Sequence, residues 1–129
     1  MSANHPAAIQ AWHALVRDPD KGRLRSLLAD DVVFRSPAVH TPQAGVDLTQ
    51  AYLWAAVQVL GPTLTYRHEW YDDRSAVLRF SATVDGLEID GVDIITWNDD
   101  DLITEFTVMT RPFKGLQALI QAMGAALSR

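Results

Sequence analysis

The dipeptide Asp85-Gly86 lies between two long runs of alternating character, residues 75–84 and 87–97. Asp-Gly between such runs is a strong signal for a two-residue hairpin, because both central residues must take positive φ. A two-residue loop sets the register of everything behind it: Val84 faces Leu87, Phe80 faces Gly91 and Leu78 faces Asp93. Asp93 is the notable member. It is a carboxylate in the middle of Gly91-Val92-Asp93-Ile94-Ile95-Thr96-Trp97, an otherwise apolar and β-branched strand. A buried carboxylate must find partners or stay protonated. Asp93 is therefore expected at the bottom of a ligand pocket.

The alternation extends in both directions. Asn98 to Asp101 reads as a turn, with a further strand over residues 102–111 that sets Trp97 opposite Leu102 and Asp93 opposite Phe106. Upstream, Tyr66, His68 and Trp70 share one face, and Thr65, Arg67, Glu69 and Tyr71 the other. A three-residue turn at Asp72-Asp73-Arg74 would place His68 opposite Leu78 and Arg67 opposite Arg79, giving a row His68, Leu78, Asp93, Phe106. A slip of one residue there would send His68 to the opposite face. The far face carries Val77, Arg79, Val92, Ile94, Glu105, Thr107 and Met109. That mixture is too apolar for full solvation and too charged for a core, so it predicts a homodimer interface.

The remaining segments read as helices and one short strand. Pro6, with Asn4 or His5 before it, suits a first helical turn, and Ile9, Trp12, Leu15 and Val16 follow at helical spacing. Asp18-Pro19-Asp20 ends that helix, and Asp20 caps a second with Leu24, Leu27 and Leu28 as its apolar stripe. Residues 32–36 form a short strand with Phe34 and Ser36 on one face, and residues 37–45 form a loop carrying His40. Asp47 and Gln50 resemble a capping box for a helix that runs to Leu60. In that helix Leu48, Tyr52, Ala55 and Val59 lie along one side, with Trp54 nearer the polar side. The tail is helical, striped by Leu116, Leu119, Ile120, Met123 and Leu127. The expected fold is α+β, one domain over residues 1–129. A cone-shaped, curled antiparallel sheet would wrap around the N-terminal helices and enclose a pocket, followed by a C-terminal helix.

Several functions are disfavoured. The formal charge is −5 with no basic run, which argues against nucleic acid and anionic membranes as partners. Without cysteine there is no disulfide, thiolate metal site or cysteine nucleophile. The four histidines show no ligand spacing, and Asn98 to Asp101 lacks the alternating ligands and glycine of a calcium loop, so no metal and no cofactor are expected. His5 and His13 read as surface residues. No apolar run reaches the length of a membrane span and the start lacks a signal-peptide pattern, so a cytoplasmic protein is expected.

The order of elements resembles the nuclear transport factor 2-like superfamily, in its SnoaL-like branch of polyketide cyclases and ketosteroid isomerase relatives. Three stretches carry the resemblance: Leu27 through Pro37 followed by Gly45, Gly91 through Trp97 with the acidic turn behind it, and Leu102-Ile103-Thr104-Glu105 running on to Arg111-Pro112. The resemblance implies a cone-shaped α+β scaffold that hosts enzymes, binding proteins and transport adaptors. In ketosteroid isomerases the mid-strand acid, which matches Asp93, is held neutral to donate a hydrogen bond. Trp12 matches that family's first-helix tyrosine, and Ser36 stands before Pro37 where its catalytic aspartate would be. In SnoaL-type cyclases the strand aspartate is the proposed acid/base. The arginine-bridged aspartates of the superfamily's epoxide hydrolases are not evident, since Arg67 and Arg79 are expected on the wrong side.

These readings predict a cofactor-free isomerase, cyclase or (de)hydratase acting on a small hydrophobic, oxygenated substrate. Asp93 would be acid/base or hydrogen-bond donor and His68 its partner. Trp12, Phe34, Ser36, His40, Tyr52, Tyr66, Trp70, Phe80 and Phe106 would line the ligand site. Alternatively, the same fold serves as a non-catalytic ligand-binding or dimeric interaction module, with Asp93 in a structural network with Trp12 or a tyrosine. Under the enzyme reading Asp93 should be buried with a raised pKa and His68 should open to the same cavity; His68 on the outer face together with Asp93 walled off from any cavity would end that reading.

Overall fold

The computed structural model describes residues 5–128; Asn4, one proposed helix-start residue, lies outside them. Four helices and six strands follow in the order α1 (Ala7–Arg17), α2 (Lys21–Ser26), β1 (Leu28–Arg35), β2 (Gln43–Ala44), α3 (Val46–Leu60), β3 (Thr65–Tyr71), β4 (Ser75–Val84), β5 (Leu87–Trp97), β6 (Ile103–Arg111) and α4 (Phe113–Leu127). A short 3-10 turn, Gly61–Thr63, joins α3 to β3. The strands form one sheet in the order β2-β1-β6-β5-β4-β3.

The hairpin at Asp85-Gly86 forms as expected, with φ of 52° and 75° at its two central residues. Val84 pairs with Leu87, Phe80 with Gly91 and Leu78 with Asp93. Gly91 admits no side chain: an added Cβ would lie 2.5 Å from the Met109 carbonyl oxygen and 2.8 Å from the Phe80 ring. The Asp93 strand is thus clamped against both neighbours beside its acid.

Four expectations about the sheet need correction. It is mixed rather than antiparallel, because β1 pairs in parallel with β6, setting Phe34 against Phe106, while β2 forms within the expected loop. Leu27 and Leu28 do not extend α2, since the backbone N–H of Ile103 reaches the carbonyl of Leu27 and Leu28 already pairs with Ile103. The β5–β6 register runs two residues further than expected, so Asp93 faces Val108 and Phe106 faces Ile95. A shift of two preserves facing, and Phe106 still points inward.

The third strand pair matters most. The turn after Tyr71 is one residue longer than read, with Tyr71 paired to Ala76. This sets Glu69 opposite Leu78 and His68 opposite Arg79. An irregularity between Tyr66 and His68 then restores the original phase, and Tyr66 pairs with Phe80. Arg67 is the extra residue of a β-bulge. Tyr66, Glu69 and Tyr71 are accordingly partly buried, whereas His68 and Trp70 are exposed.

The helices cover the inner face, and the core runs from Ile9, Trp12 and Leu15 through Leu53 to Leu78, Phe80, Ile95 and Phe106. In α3 the buried residues are Thr49, Leu53, Ala55, Ala56, Val57 and Leu60, so Ala55 is buried as expected, while Leu48 is 47% exposed. The stripe read from sequence is rotated by about one residue, because this helix is apolar around most of its circumference and periodicity underdetermines its orientation. Its N-cap is Gly45 with no side-chain hydrogen bond; Asp47 pairs with Arg25 and Gln50 binds the Lys21 carbonyl instead of forming a capping box. In α4, Leu119 and Met123 are buried but Ile120 and Leu127 are exposed. No helix among the described residues is long and apolar enough to cross a membrane.

Candidate active site

The inner sheet face and helices α1 and α3 enclose a hollow lined by Trp12, Val16, Leu53, Ala56, Val57, Leu60, Gly61, Leu64, Tyr66, Asp93, Phe106 and Val108. Its cavity volume is only about 20 Å³. That is room for about one water.

Asp93 lies at the base of this hollow with 4% of its surface exposed. The Tyr66 hydroxyl donates to its Oδ2 at 2.6 Å, and the Trp12 indole N–H donates to the Tyr66 oxygen at 2.7 Å. The result is a directed chain from the first helix through β3 to β5. Burial pushes the Asp93 carboxyl up to about 7, against the opposing pull of the Tyr66 hydrogen bond. Tyr66 is raised well above the usual phenol range by its own burial and then by the Asp93 charge, so it remains a hydroxyl donor. Of the lining residues only these two titrate near or above neutrality, and Asp93 is the only carboxylate.

Trp12, Tyr66, Asp93 and Phe106 come together as expected. Trp12 packs edge-on against Phe106, with centroids 4.8 Å apart. Phe34 and Phe80 are fully buried behind this layer, against Phe106 and Tyr66, and are core rather than lining. Tyr52 is half-buried against the core and does not reach the hollow. Ser36 is buried but its hydroxyl accepts the backbone N–H of Ala38 at 3.0 Å. His40 is exposed in its loop. His68 and Trp70, expected inside, stack on one another on the outer face at 5.5 Å, because the longer turn reverses the facing of that end of β3. Arg79 is also outside, bonded to Asp90, whose carboxyl that guanidinium holds below its ordinary range. The aliphatic wall from α3 was missed, although Leu53, Val57 and Leu60 recur at helical spacing.

A second polar group sits beside Tyr66. His13 stands edge-on to the Tyr66 ring at 5.0 Å and lies next to Glu69, and His5 and Tyr71 complete the group. His13 is therefore no ordinary surface histidine: only 15% of its side chain is exposed. Sequence alternation placed Glu69 on the outer face, and the longer turn after Tyr71 brings it in.

Comparison with known proteins agrees with this architecture. No curated protein sequence matches significantly. Among solved structures, a steroid delta-isomerase from Pseudomonas aeruginosa is 40% identical, with a TM-score of 0.88, over 95% of this chain and 90% of that one. A conserved bacterial protein with a cystatin-like fold from Silicibacter pomeroyi is 34% identical, with a TM-score of 0.85, over 92% and 84% of the two chains. A protein assigned as a SnoaL-like polyketide cyclase from Jannaschia shares the fold alone, at 10% identity and a TM-score of 0.68 over 92% and 98%. The SnoaL-like domain family matches residues 9–106, most of the helical layer and the sheet. The chain belongs to the SnoaL-like domain family, on a nuclear transport factor 2-like fold.

Proposed function

We propose that this protein binds a small hydrophobic, oxygen-bearing molecule against Asp93 and catalyses a cofactor-free proton transfer on it, as an isomerase, cyclase or (de)hydratase. The observation that carries this is the chain Trp12 to Tyr66 to Asp93 ending at the floor of an apolar hollow. Tyr66 occupies Oδ2, so a proton on Asp93 resides on the other oxygen, which is the one available to a ligand. With its carboxyl pushed up to about 7, Asp93 is protonated in much of the population at neutral pH. It can then donate to a substrate carbonyl as negative charge develops there. The similarity to a steroid delta-isomerase supports a substrate of enone or cyclic ketone type. Reaching Asp93 requires α1 and α3 to part, since the hollow has room for about one water.

A two-carboxylate isomerase mechanism is not supported, because Ser36 stands before Pro37 and is engaged with its own loop. One acid must both deliver and recover the proton, or the base must come from the substrate. The same feature favours the second reading, a ligand carrier without turnover. Exchange of α-hydrogens in cyclic ketones and enones, followed by proton NMR in D2O, separates the two. The folded wild type is expected to accelerate exchange, and Asp93→Asn to lose on the order of 10²–10⁴-fold. Equal exchange by both proteins would sink the catalytic reading. Binding without exchange in either would establish the carrier.

A further inference from the structure

His5 immediately precedes α1, His13 lies within it and Glu69 lies on the inward side of β3. Their ligand-type atoms all fall within 4.8 Å of one another. His5 Nδ1 is 3.5 Å from Glu69 Oε1, and His13 Nε2 is 2.7 Å from Glu69 Oε2. The Tyr71 hydroxyl touches both His5 Nδ1 and Glu69 Oε1. The close approach of His13 to Glu69 is not a hydrogen bond: His13 Nε2 is buried and has no partner of acceptable geometry. A buried imidazole nitrogen in this position gains from a partner with better geometry. The group opens on a surface depression that also includes Gln10, Ala14 and Arg17, so an ion could reach it from solvent.

We propose that His5, His13 and Glu69 bind a divalent transition-metal ion, of which Zn²⁺ is the type. Two imidazoles and one carboxylate form a set that suits zinc and its neighbours, and in a tetrahedral site such ligand atoms stand about 3.3 Å apart at metal–ligand distances of about 2.0–2.1 Å. The His5–Glu69 separation already meets this, and His13 and Glu69 need to spread by about 0.6 Å around the ion. His5 can adjust, since 43% of its side chain is exposed. Tyr71 is placed to move from hydrogen-bonding these ligands to supporting them from behind. The ion would tie the start of α1 to β3, next to Tyr66 but independent of the proton on Asp93. Among the described residues the Arg17 guanidinium at the rim is the one cation lining this depression, and it opposes binding weakly.

Calorimetric titration of the tag-free chain with ZnCl2 at pH 7.5 tests this, with Co²⁺ absorption as the readout of geometry. One ion per chain and a Zn²⁺-dependent rise in Tm are expected. His5→Ala, at an exposed position, and Glu69→Gln should each weaken binding by at least about tenfold. His40→Ala and His68→Ala should leave it unchanged, as should Asp93→Asn, which separates this site from the proposed catalytic one. Zn²⁺ affinity equal in wild type and His5→Ala, or no affinity in wild type, would overturn the proposal. In that case His5, Tyr71 and Glu69 form a hydrogen-bonded network, with His13 beside the Glu69 carboxylate.

Discussion

Asp93 carries a cost that can be measured without knowing any substrate. Its carboxyl is raised from 3.8 to about 7 by burial. Below about pH 4 the group is protonated in both folded and unfolded chains and contributes no difference. Between about 4 and 7 the folded state holds a proton that the unfolded state has released, so stability falls as pH rises through this window. The full penalty is present above it, roughly 4 kcal/mol at 1.36 kcal/mol per pK unit. Asn has the same shape, still accepts from Tyr66 and does not titrate. The expected outcome in urea denaturation is that Asp93→Asn gains on wild type from pH 4 to pH 8, by an amount of that order, and does not gain below pH 4. A difference independent of pH would mean that the acid is ionised in the folded state. At this scale the sequence was informative: a single carboxylate among Val92, Ile94 and Ile95 is visible without coordinates, and so is its pairing with Leu78. Its donor was open between Trp12 and a tyrosine, and the structure uses both in series.

Among the elements, β3 decides what the sequence could not reveal. The Asp85-Gly86 hairpin was legible because two residues with positive φ permit few loops, and register follows by counting. The Asp72–Arg74 turn has no such chemistry, and the residue it adds moves His68 out and Glu69 in. The bulge at Arg67 then returns Tyr66 to the inner face, and no composition signal marks it. The strand thus holds one spare residue, and which residue is removed selects the facing. Deleting Arg67 should leave a regular strand with Tyr66 and Glu69 still inward. Deleting Trp70 should instead use up the bulge, bringing His68 opposite Leu78 and turning Glu69 outward. Solvent exposure of the His68 ring distinguishes the two, read from broadening of its NMR signals by a soluble paramagnetic agent: the ring should be exposed in the first deletion and protected in the second. Identical His68 behaviour in both would show that the bulge does not set the phase.

For the whole molecule, the outer sheet face still requires an explanation. Trp70 is 54% and Met109 56% exposed there, beside the partly buried Val77, Val92 and Ile94. Exposed apolar area on that scale favours self-association, and a twofold dimer through this face is the expected state. Sedimentation velocity should give a dimer at micromolar concentration that Trp70→Glu converts to monomer; a wild-type monomer at the same concentration would exclude it. The parallel pairing of β1 with β6 was not legible from sequence, because nothing local links strands so distant in the chain. That pairing also governs how the protein is made. Phe34 meets Phe106 only after all the intervening chain exists. On the ribosome, helices α1 to α3 and the β3–β5 meander can form as they emerge, but β1 waits for the last strand with one edge unpaired. The interval between synthesis of residue 35 and release of residue 111 is therefore the period in which this chain is most open to chaperones and to its own copies.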